Sequence, residues 1–462
     1  MNVLTDRVKT VYFKYLASAF GSTLITSIYG IVDMAMVGQY QGPDGSAAMG
    51  VFAPIWNIIY SFALLAGIGG AVLFSNIRGR GEGNERKSNE YFTASILFGV
   101  LLSAIATALV WLWNEPLLIF FGADEVLLPL AQSYLTAIKF TVPFFVLNQV
   151  LSSFICNDGN PALATASVLF GGIFNMFGDW FFVFALDMGI RGAGLATAIG
   201  AVLSFLLMLV HFFRRKNTLR IVKPTRLVRK LARIAVTGFP TCVTDIAMGV
   251  MTILFNRQIV RYLGTDALAV YAVVVNISTF VQCCAYSVGQ ASQPLISMNF
   301  GAGRHDRIRE CLRYATYTAI GFGVFWTALS SVAPEVVVGV FMSPTQAVLE
   351  IAPAIIRTYS LSFLILPFNV FSTYYFQARM KRGTSFAISI ARGCIVSGAC
   401  ILLLPTLLGA DALWLSMPIT ETVILAGVIC LMLIERKSEI GEKKGRALVA
   451  ESGAENNAEN NK

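Results

Sequence analysis

The stretch SNIRGRGEGNERK, residues 75–87, ends an apolar run with a glycine-rich basic loop. A similar stretch, SMNFGAGRHDRIR, follows 222 residues later at 297–309. A second pair keeps nearly the same spacing, because VGQYQGPDGSAAMGVFAPIWNI at 37–58 is similar to VRYLGTDALAVYAVVVNI at 260–277. The second half of the chain therefore repeats the first, and one half should show the fold of both.

The composition indicates that the apolar runs between these loops cross a membrane. The chain has 462 residues, of which 56% are hydrophobic and 13% are charged, whereas about a quarter of the residues of a soluble protein are charged. Apolar runs of about 18 or more residues recur along the chain, and each is long enough to cross a hydrocarbon core of about 30 Å. We therefore expect an all-α polytopic membrane protein.

Twelve membrane-spanning helices are predicted, and we number them span 1 to span 12 in chain order. Each boundary follows the end of an apolar run or the start of a polar loop. The predicted spans are residues 12–39, 47–77, 91–113, 125–156, 161–186, 192–213, 234–263, 268–300, 312–333, 346–378, 384–408 and 412–434.

Basic residues concentrate in the loops that follow even-numbered spans. Loops after odd-numbered spans carry almost none, with Arg191 as the exception. Because basic loops stay in the cytoplasm, both termini are predicted to be cytoplasmic in the plasma membrane of a bacterium. The net charge of +9 then reflects topology rather than nucleic-acid binding. The basic residues are Arg78, Arg80, Arg86 and Lys87 after span 2, nine residues of 214–233 after span 6, Arg304, Arg307 and Arg309 after span 8, and Arg379, Lys381 and Arg382 after span 10.

The repeat and the topology together predict two six-helix lobes. Six is an even number, so both halves enter the membrane from the same side and are related by a pseudo-twofold axis along the membrane normal. Parallel repeats of this kind are typical of secondary transporters, with a binding site between or within the lobes. The predicted organisation is a first lobe at 1–213, a basic cytoplasmic linker at 214–233, a second lobe at 234–435 and a disordered cytoplasmic tail at 436–462.

A cluster of polar residues is predicted in the outer part of the first lobe. Ionisable residues inside spans are costly and usually face a cavity or each other. In FNMFGDWFFVF, residues 174–184, Asn175 and Asp179 are one turn apart and share a helix face. The rise per residue places Asp33 of span 1 and Thr197 of span 6 at the depth of Asp179. The repeat puts no acid at the equivalent places of the second half, which favours a functional role.

Two chemical interpretations of this cluster stay open at this stage. Two carboxylates, an amide and a hydroxyl offer Na⁺ a site made only of hard oxygen ligands. The same two carboxylates can instead share a proton, because buried like charges resist simultaneous ionisation.

Four further charged residues inside predicted spans have weaker assignments. Lys139 in span 4 is a possible counter-ion of the cavity. Asp245 in span 7 and Glu421 in span 12 are possible cavity residues of the second half. Arg392 is expected near the cytoplasmic end of span 11, where it would anchor the helix.

The sequence argues against an enzyme and against a channel. Its eight cysteines show no ligand spacing, and its two histidines, His211 and His305, both lie beside basic loops. No catalytic set and no pore-loop filter is visible. We therefore expect no cofactor and no metal site beyond a possible Na⁺ at the polar cluster.

Four stretches resemble signatures of the multidrug and toxic compound extrusion (MATE) family, in its DinF-like bacterial branch. The resemblance covers about 10–435 and implies a two-lobed antiporter that exports cationic or amphiphilic drugs in exchange for Na⁺ or H⁺. It also implies that Asp33, Asn175, Asp179 and Thr197 form the first-lobe coupling site. A monomer in the lipid bilayer is expected. The stretches are YGIVDMAMVGQYQGPDGSAAMGVFAPIW (29–56), FNMFGDWFFVFALDMGIRGAGLATAIG (174–200), NFGAG (299–303) and LWLSMPITET (413–422).

One departure and one alternative remain. The family usually has proline in span 1, fifteen residues before the aspartate, but this chain has Ser18 there and keeps the repeat mate Pro240. Whether span 1 bends is therefore open, because proline favours helix kinks. The alternative function is a lipid-linked glycan flippase, which would need a strongly basic central cavity to hold a pyrophosphate.

Overall fold

A computed structural model describes residues 2–341 and 345–435 of the chain. The predicted disordered tail at 436–462 lies outside the described residues. The α-helices are Val8–Gly79, Glu85–Leu112, Asn114–Phe120, Leu127–Ile138, Val142–Asn157, Pro161–Asp179, Gly189–Leu209, Leu227–Tyr262, Thr265–Gly301, His305–Val332, Pro334–Phe341, Gln346–Ala378, Arg382–Ile390 and Val396–Leu408. Short π-helical segments lie between these helices at Trp180–Ala185 and Ala391–Ile395. Short 3₁₀ segments lie at Val210–Phe213 and Ala410–Leu415, and the last helical stretch reaches Glu435.

Nine helices of the described chain are long and apolar enough to cross a membrane, and eleven are when each bent helix pair is one span. The bent pairs are Leu127–Ile138 with Val142–Asn157, at 56°, and His305–Val332 with Pro334–Phe341, at 90°. The first helical stretch, Val8–Gly79, has 72 residues, which is a contour length of about 108 Å at 1.5 Å per residue, and it consists of two helices that meet at a kink. It covers predicted spans 1 and 2 and is interrupted at Gly42, where φ is 71°. Counting its two limbs separately would give twelve, and that number stays a prediction.

The backbone itself repeats at the predicted offset. Gly42 and Gly264 connect spans 1–2 and spans 7–8, and both have positive φ, at 71° and 84°. Gly81 and Gly303 follow spans 2 and 8 with φ of 100° and 69°. The two glycines of each pair are separated by 222 residues, which is the offset of the sequence repeat. These turns require glycine because glycine adopts positive φ without steric cost.

A side-chain hydrogen bond also recurs between the halves. The amide of Asn148 in span 4 donates to the carbonyl oxygen of Ala201 in span 6 at 2.8 Å. The amide of Asn369 in span 10 donates to the carbonyl oxygen of Glu421 in span 12, also at 2.8 Å. This pair of bonds makes Glu421 the structural counterpart of Ala201.

The two halves contact each other at the end that carries the basic loops, which we call the basic face. A Cβ on Gly79 would lie 2.0 Å from the carbonyl oxygen of Met298, and a Cβ on Gly301 would lie 1.9 Å from that of Asn76. These two contacts are mates under the 222-residue repeat. Spans 2 and 8 therefore meet backbone to backbone at the basic face, and nearly all residues of 61–76 and 281–299 are buried.

Candidate cation and substrate sites

The structure brings the four predicted cluster residues together and adds a fifth. The Thr197 hydroxyl donates to Asp33 Oδ2 at 3.3 Å, and the Asn175 amide donates to Thr197 Oγ1 at 2.9 Å. The same amide lies 3.4 Å from Asp179 Oδ1. The Tyr134 hydroxyl donates to Asp33 Oδ2 at 2.8 Å. All five side chains are buried, so spans 1, 4, 5 and 6 share one polar network inside the first lobe.

Glycines allow the helices that carry this network to approach closely. A Cβ on Gly171 of span 5 would lie 2.6 Å from the carbonyl oxygen of Gly200 in span 6. A Cβ on Gly194 of span 6 would lie 2.5 Å from the carbonyl oxygen of Tyr134. Small residues are the usual means of close helix packing in lipid. The close approach is what puts side chains of three helices within hydrogen-bond distance.

A π-helical turn begins directly after Asp179, at Trp180–Ala185. Short π-helical segments inside α-helices are frequent at functional sites, because the extra residue changes the direction of the following side chains. On the outer side of this helix, the side chains of Phe177, Trp180 and Phe181 are 60%, 51% and 38% exposed. These aromatic rings face away from the polar network, as expected of side chains that contact lipid.

Three oxygens of the network accept no hydrogen bond from the described part of the chain. They are Asp33 Oδ1, Asn175 Oδ1 and Asp179 Oδ2, and all three are buried. Buried polar atoms without a partner are unusual in native proteins. No group of three or more His, Cys, Asp or Glu in the described residues is placed to hold a metal ion. The donor set consists of carboxylate, amide and hydroxyl oxygens, which suit a proton or a hard cation.

Two neighbouring cavities lie close to this network. A cavity of about 110 Å³ inside the first lobe is lined by Asn175 and Thr197. A larger cavity of about 280 Å³, the central cavity, lies between the two halves. Trp56, Tyr60 and Gln149 line both of them, so the two cavities share part of their wall.

Asp245 of span 7 lies at the wall of the central cavity. Its Oδ2 accepts a hydrogen bond from the Ser61 hydroxyl of span 2 at 2.7 Å, and this bond joins the two halves. Asp245 is the one charged residue among the described residues that line this cavity. The sequence predicted Asp245 at a cavity of the second half, and the structure places it at the cavity between the halves. A lone carboxylate favours a cationic over an anionic occupant.

Glu421 and Arg392 form a buried ion pair in the second half. Glu421 Oε1 accepts from Arg392 Nε at 2.9 Å and lies 2.8 Å from Arg392 Nη2. Glu421 Oε2 accepts from the Asn369 amide at 2.7 Å. Arg392 lines a second-half cavity of about 130 Å³. The anchoring role expected for Arg392 at the cytoplasmic end is therefore corrected, because its guanidinium is the internal counter-ion of Glu421.

Lys139 does not lie where its predicted role requires. Its ammonium group lies 4.6 Å from the centre of the Trp111 ring and 5.5 Å from that of Phe140. Both rings are about half exposed, and Lys139 lines neither the first-lobe cavity nor the central cavity. Contact with aromatic faces stabilises this cation at the surface, so Lys139 is not a counter-ion of the network.

Tyr134 was not among the residues predicted from the sequence. Tyrosine is common among the aromatic residues of this chain, and Tyr134 is separated from Asp33 by 101 residues. A depth count from the start of span 4 at residue 125 would have placed it about nine residues, or roughly 14 Å, from the outer end. That depth lies in the outer part of the first lobe, where the polar cluster was predicted, and it was the available signal.

Comparison with protein families identifies two matching segments. The MatE family model matches residues 18–181 and again 240–397. The two starts are separated by 222 residues, the same offset as the internal repeat. Two similar curated proteins are the multidrug export proteins MepA of Staphylococcus saprophyticus and of Staphylococcus aureus strain NCTC 8325. The first is 24% identical to this chain over 414 residues, and the second is 24% identical over 416 residues. Both alignments cover 89% of this chain and 89% of the relative.

Solved structures share the fold at lower identity. One is described as the outward-facing conformation of a multidrug resistance MATE family transporter, with a TM-score of 0.86 and 18% identity over 94% of this chain and 97% of that one. A MATE structure in a bent conformation has a TM-score of 0.84 at 19% identity, with coverage of 94% and 98%. A Pyrococcus furiosus transporter has a TM-score of 0.86 at 18% identity, with coverage of 94% and 97%, and its description infers a different function from the reverse polarity of its binding pocket. The two-lobed all-α membrane fold predicted from the sequence is thereby confirmed.

Proposed function

This chain belongs to the MATE family of multidrug efflux transporters, and on that premise we propose that it exports cationic or amphiphilic small molecules in exchange for Na⁺ or H⁺. The observation that supports the proposal is the buried network of Asp33, Asn175, Asp179 and Thr197, which has three unpartnered oxygens and reaches the first-lobe cavity through Asn175 and Thr197. A cation at these oxygens would satisfy acceptors that the chain itself leaves unsatisfied. Na⁺ and H⁺ are both compatible with this donor set.

Coupling follows from linkage between this network and the central cavity. The wall that the two cavities share includes Thr26 of span 1, Trp56 and Tyr60 of span 2, and Val168 of span 5. A cation that draws Asp33 and Asp179 towards itself changes the shape of that shared wall. If the filled and empty shapes bind substrate with different affinity, each ligand lowers or raises the affinity of the other by the same factor. The exchange of one for the other is then antiport.

The substrate class follows from the charge of the central cavity. Asp245 is the charged residue of its described lining, and aromatic and amide side chains such as Trp56, Tyr60 and Gln149 make up much of the remaining wall. Such a lining suits a flat or bulky cation with apolar surface. A lipid-linked glycan carries a pyrophosphate, for which this part of the chain offers no lysine or arginine. The flippase alternative is therefore not favoured.

The test is transport into proteoliposomes under an imposed Na⁺ gradient or an imposed pH gradient, with a panel of cationic dyes. We expect one gradient to drive transport by the wild-type protein and Asp33→Asn and Asp179→Asn each to abolish that dependence. Asp44→Asn, at an exposed carboxylate of the loop between spans 1 and 2, is the matched control and should transport normally. Gradient-driven transport at the wild-type rate by both cluster variants would disprove the coupling assignment.

A further inference from the structure

A second polar cavity of the first lobe lies at the basic face, far from the network of Asp33. It has a volume of about 630 Å³ and is bounded by the ends of spans 1, 2, 5 and 6 and by residues 2–4. Its wall carries cationic side chains from three separate parts of the chain. They are Lys14, Arg78, Arg214, Arg215 and Lys216.

The carboxylate of this cavity is already satisfied. Asp158 Oδ2 accepts from the backbone N–H of Thr218 at 3.0 Å and lies 2.8 Å from His211 Nε2. Asp158 Oδ1 accepts from the Thr218 hydroxyl and lies 3.4 Å from Arg78 Nη1. The negative charge of Asp158 is therefore directed at Arg78 and His211, on one wall.

The remaining cations face no carboxylate among the described residues that line the cavity. Lys14, Arg214, Arg215 and Lys216 are exposed and share its wall. Concave sites lined by charge of one sign concentrate the electrostatic potential and the counter-ions that it attracts. Backbone of the first turn of span 5, at 160–162, also lines the cavity, and the positive end of that helix adds to the potential. The cavity is therefore suited to an anion with several oxygens, and a phosphate group is a common anion of this kind.

The position of the cavity points to a lipid rather than to a soluble phosphate. Phe13 precedes Lys14 and is 44% exposed, and Phe213 precedes Arg214 and is 88% exposed. Exposed aromatic rings beside cations are the arrangement expected at the boundary between acyl chains and headgroups. Basic residues at the cytoplasmic surface attract anionic headgroups with about 1 kcal/mol each.

We propose that this cavity binds the phosphate of an anionic phospholipid, with Lys14 on one side and Arg214, Arg215 and Lys216 on the other. Bound lipid would join the basic end of span 1, which carries Asp33, to the end of span 6, which carries Thr197. This inference concerns a site separate from the proposed cation coupling and does not depend on it.

The experiment measures phosphatidylglycerol binding to the full chain by native mass spectrometry, and the rise in thermal midpoint on adding the lipid to protein in phosphatidylcholine micelles. The cavity variant is Lys14→Gln, Arg214→Gln, Arg215→Gln and Lys216→Gln. The matched control is Lys87→Gln, Arg220→Gln, Lys223→Gln and Arg229→Gln, which removes four exposed cations of the basic face outside the cavity. Phosphatidylcholine and glycerol 3-phosphate are the other ligands.

We expect the cavity variant to bind phosphatidylglycerol at least about tenfold more weakly than the wild type, and the control to bind it within about twofold. Equal losses in the two variants would overturn the proposal in favour of diffuse surface electrostatics. Stabilisation of the wild type by glycerol 3-phosphate to the same extent as by the lipid would overturn the lipid assignment. If the fourfold cavity variant does not fold, the single substitutions Lys14→Gln and Lys216→Gln must each weaken binding for the proposal to stand.

Discussion

Asp33 is the residue at which the first-lobe network converges, because one of its oxygens accepts two hydrogen bonds and the other accepts none from the described chain. The satisfied oxygen faces Tyr134 and Thr197. The unsatisfied oxygen is the one available to a cation. Any change in the donors to the first oxygen alters the charge that the second presents to the cation.

Replacement of Tyr134 by phenylalanine removes one of these donors and keeps the ring, which packs edge-on against Phe52 at 5.1 Å. A hydrogen bond to a charged group contributes about 1.5–3 kcal/mol, and the donor competes with a bound cation for the carboxylate. We expect the half-saturating concentration of the coupling cation to fall by roughly three- to tenfold, since part of that energy is regained by rearrangement. The measurement is the cation dependence of dye transport in proteoliposomes.

Tyr40→Phe is the matched control for this change. Its hydroxyl donates to Asp187, a carboxylate that is exposed and outside the network. The control loses the same chemical group and the same kind of bond. An equal shift in both variants, or none in Tyr134→Phe, would show that Tyr134 does not tune the site.

Residues of the candidate site were predictable where the cost of burial showed in the sequence. Asp33, Asn175 and Asp179 stand out because polar side chains are rare within apolar runs, and their depths follow from a fixed rise per residue. Tyr134 and the pairing of Arg392 with Glu421 were not predictable in the same way. Their partners are fixed by how helices pack, which a single sequence does not specify.

Span 5 and span 6 form the element pair on which the network rests, and their contact is between backbones. A Cβ on Gly171 would lie 2.6 Å from the carbonyl oxygen of Gly200, and a Cβ on Gly200 would lie 2.7 Å from that of Gly171. In the second half, the Asn369 bond makes Glu421 the counterpart of Ala201. Spans 11 and 12 are joined there by an ion pair, so the two lobes use the same helix pair with different chemistry.

Gly171→Ala is expected to separate span 5 from span 6. Forcing a methyl group into a packed contact costs about 1–3 kcal/mol, which exceeds the roughly 0.5–1 kcal/mol that alanine gains over glycine inside a helix. We expect a lower thermal midpoint in detergent and a weaker cation dependence of transport, because the bond between Asn175 and Thr197 spans this contact. A fluorescence melting curve and the proteoliposome assay measure the two effects.

Gly398→Ala provides the comparison for this variant. Gly398 lies inside the helix Val396–Leu408, and a Cβ there would meet no atom within 4 Å. The control should therefore melt at the same temperature as the wild type or higher. If Gly171→Ala matches it in both assays, the close backbone contact is not what holds the network.

The course of the helices was predicted well where the apolar runs were long and uniform. The break in span 4 between Ile138 and Val142 was missed, although Pro143 in the first turn of the second helix was a signal for it. The short helix Asn114–Phe120 lies in the stretch that was assigned to the loop between spans 3 and 4. Ser18 lies inside a helix whose one described interruption is at Gly42, so span 1 runs through the place of the family proline without a break.

At the scale of the whole molecule, the repeat determines how the halves meet. The contacts of Gly79 with Met298 and of Gly301 with Asn76 are equivalent under the 222-residue offset. Beside them, the Asn157 amide donates to Gln293 Oε1 at 3.0 Å across the two halves. Both of these amides also line the central cavity, and Asn157 lines the cavity at the basic face as well. The paired contacts therefore lie at this end of the central cavity, and we infer that they close it there.

Gly301→Val should open this closure. Its Cβ would lie 1.9 Å from the carbonyl oxygen of Asn76, so spans 2 and 8 must separate at the basic face. An overpacking cost of about 1–3 kcal/mol in the closed state shifts the equilibrium between lobe positions by roughly 5- to 150-fold.

The reporter of this opening is Cys156, which lines the central cavity next to Asn157. In a protein that keeps Cys156 as its single cysteine, we would measure its labelling by a membrane-impermeant maleimide in inside-out vesicles. We expect faster labelling than in the parent, and the same effect from Gly79→Val because the two contacts are mates. Gly321→Val, at an exposed helical position with no atom within 4 Å of its Cβ, should leave the rate unchanged. Unchanged labelling in both contact variants would show that the central cavity is closed elsewhere, and faster labelling in right-side-out vesicles alone would reverse the predicted topology.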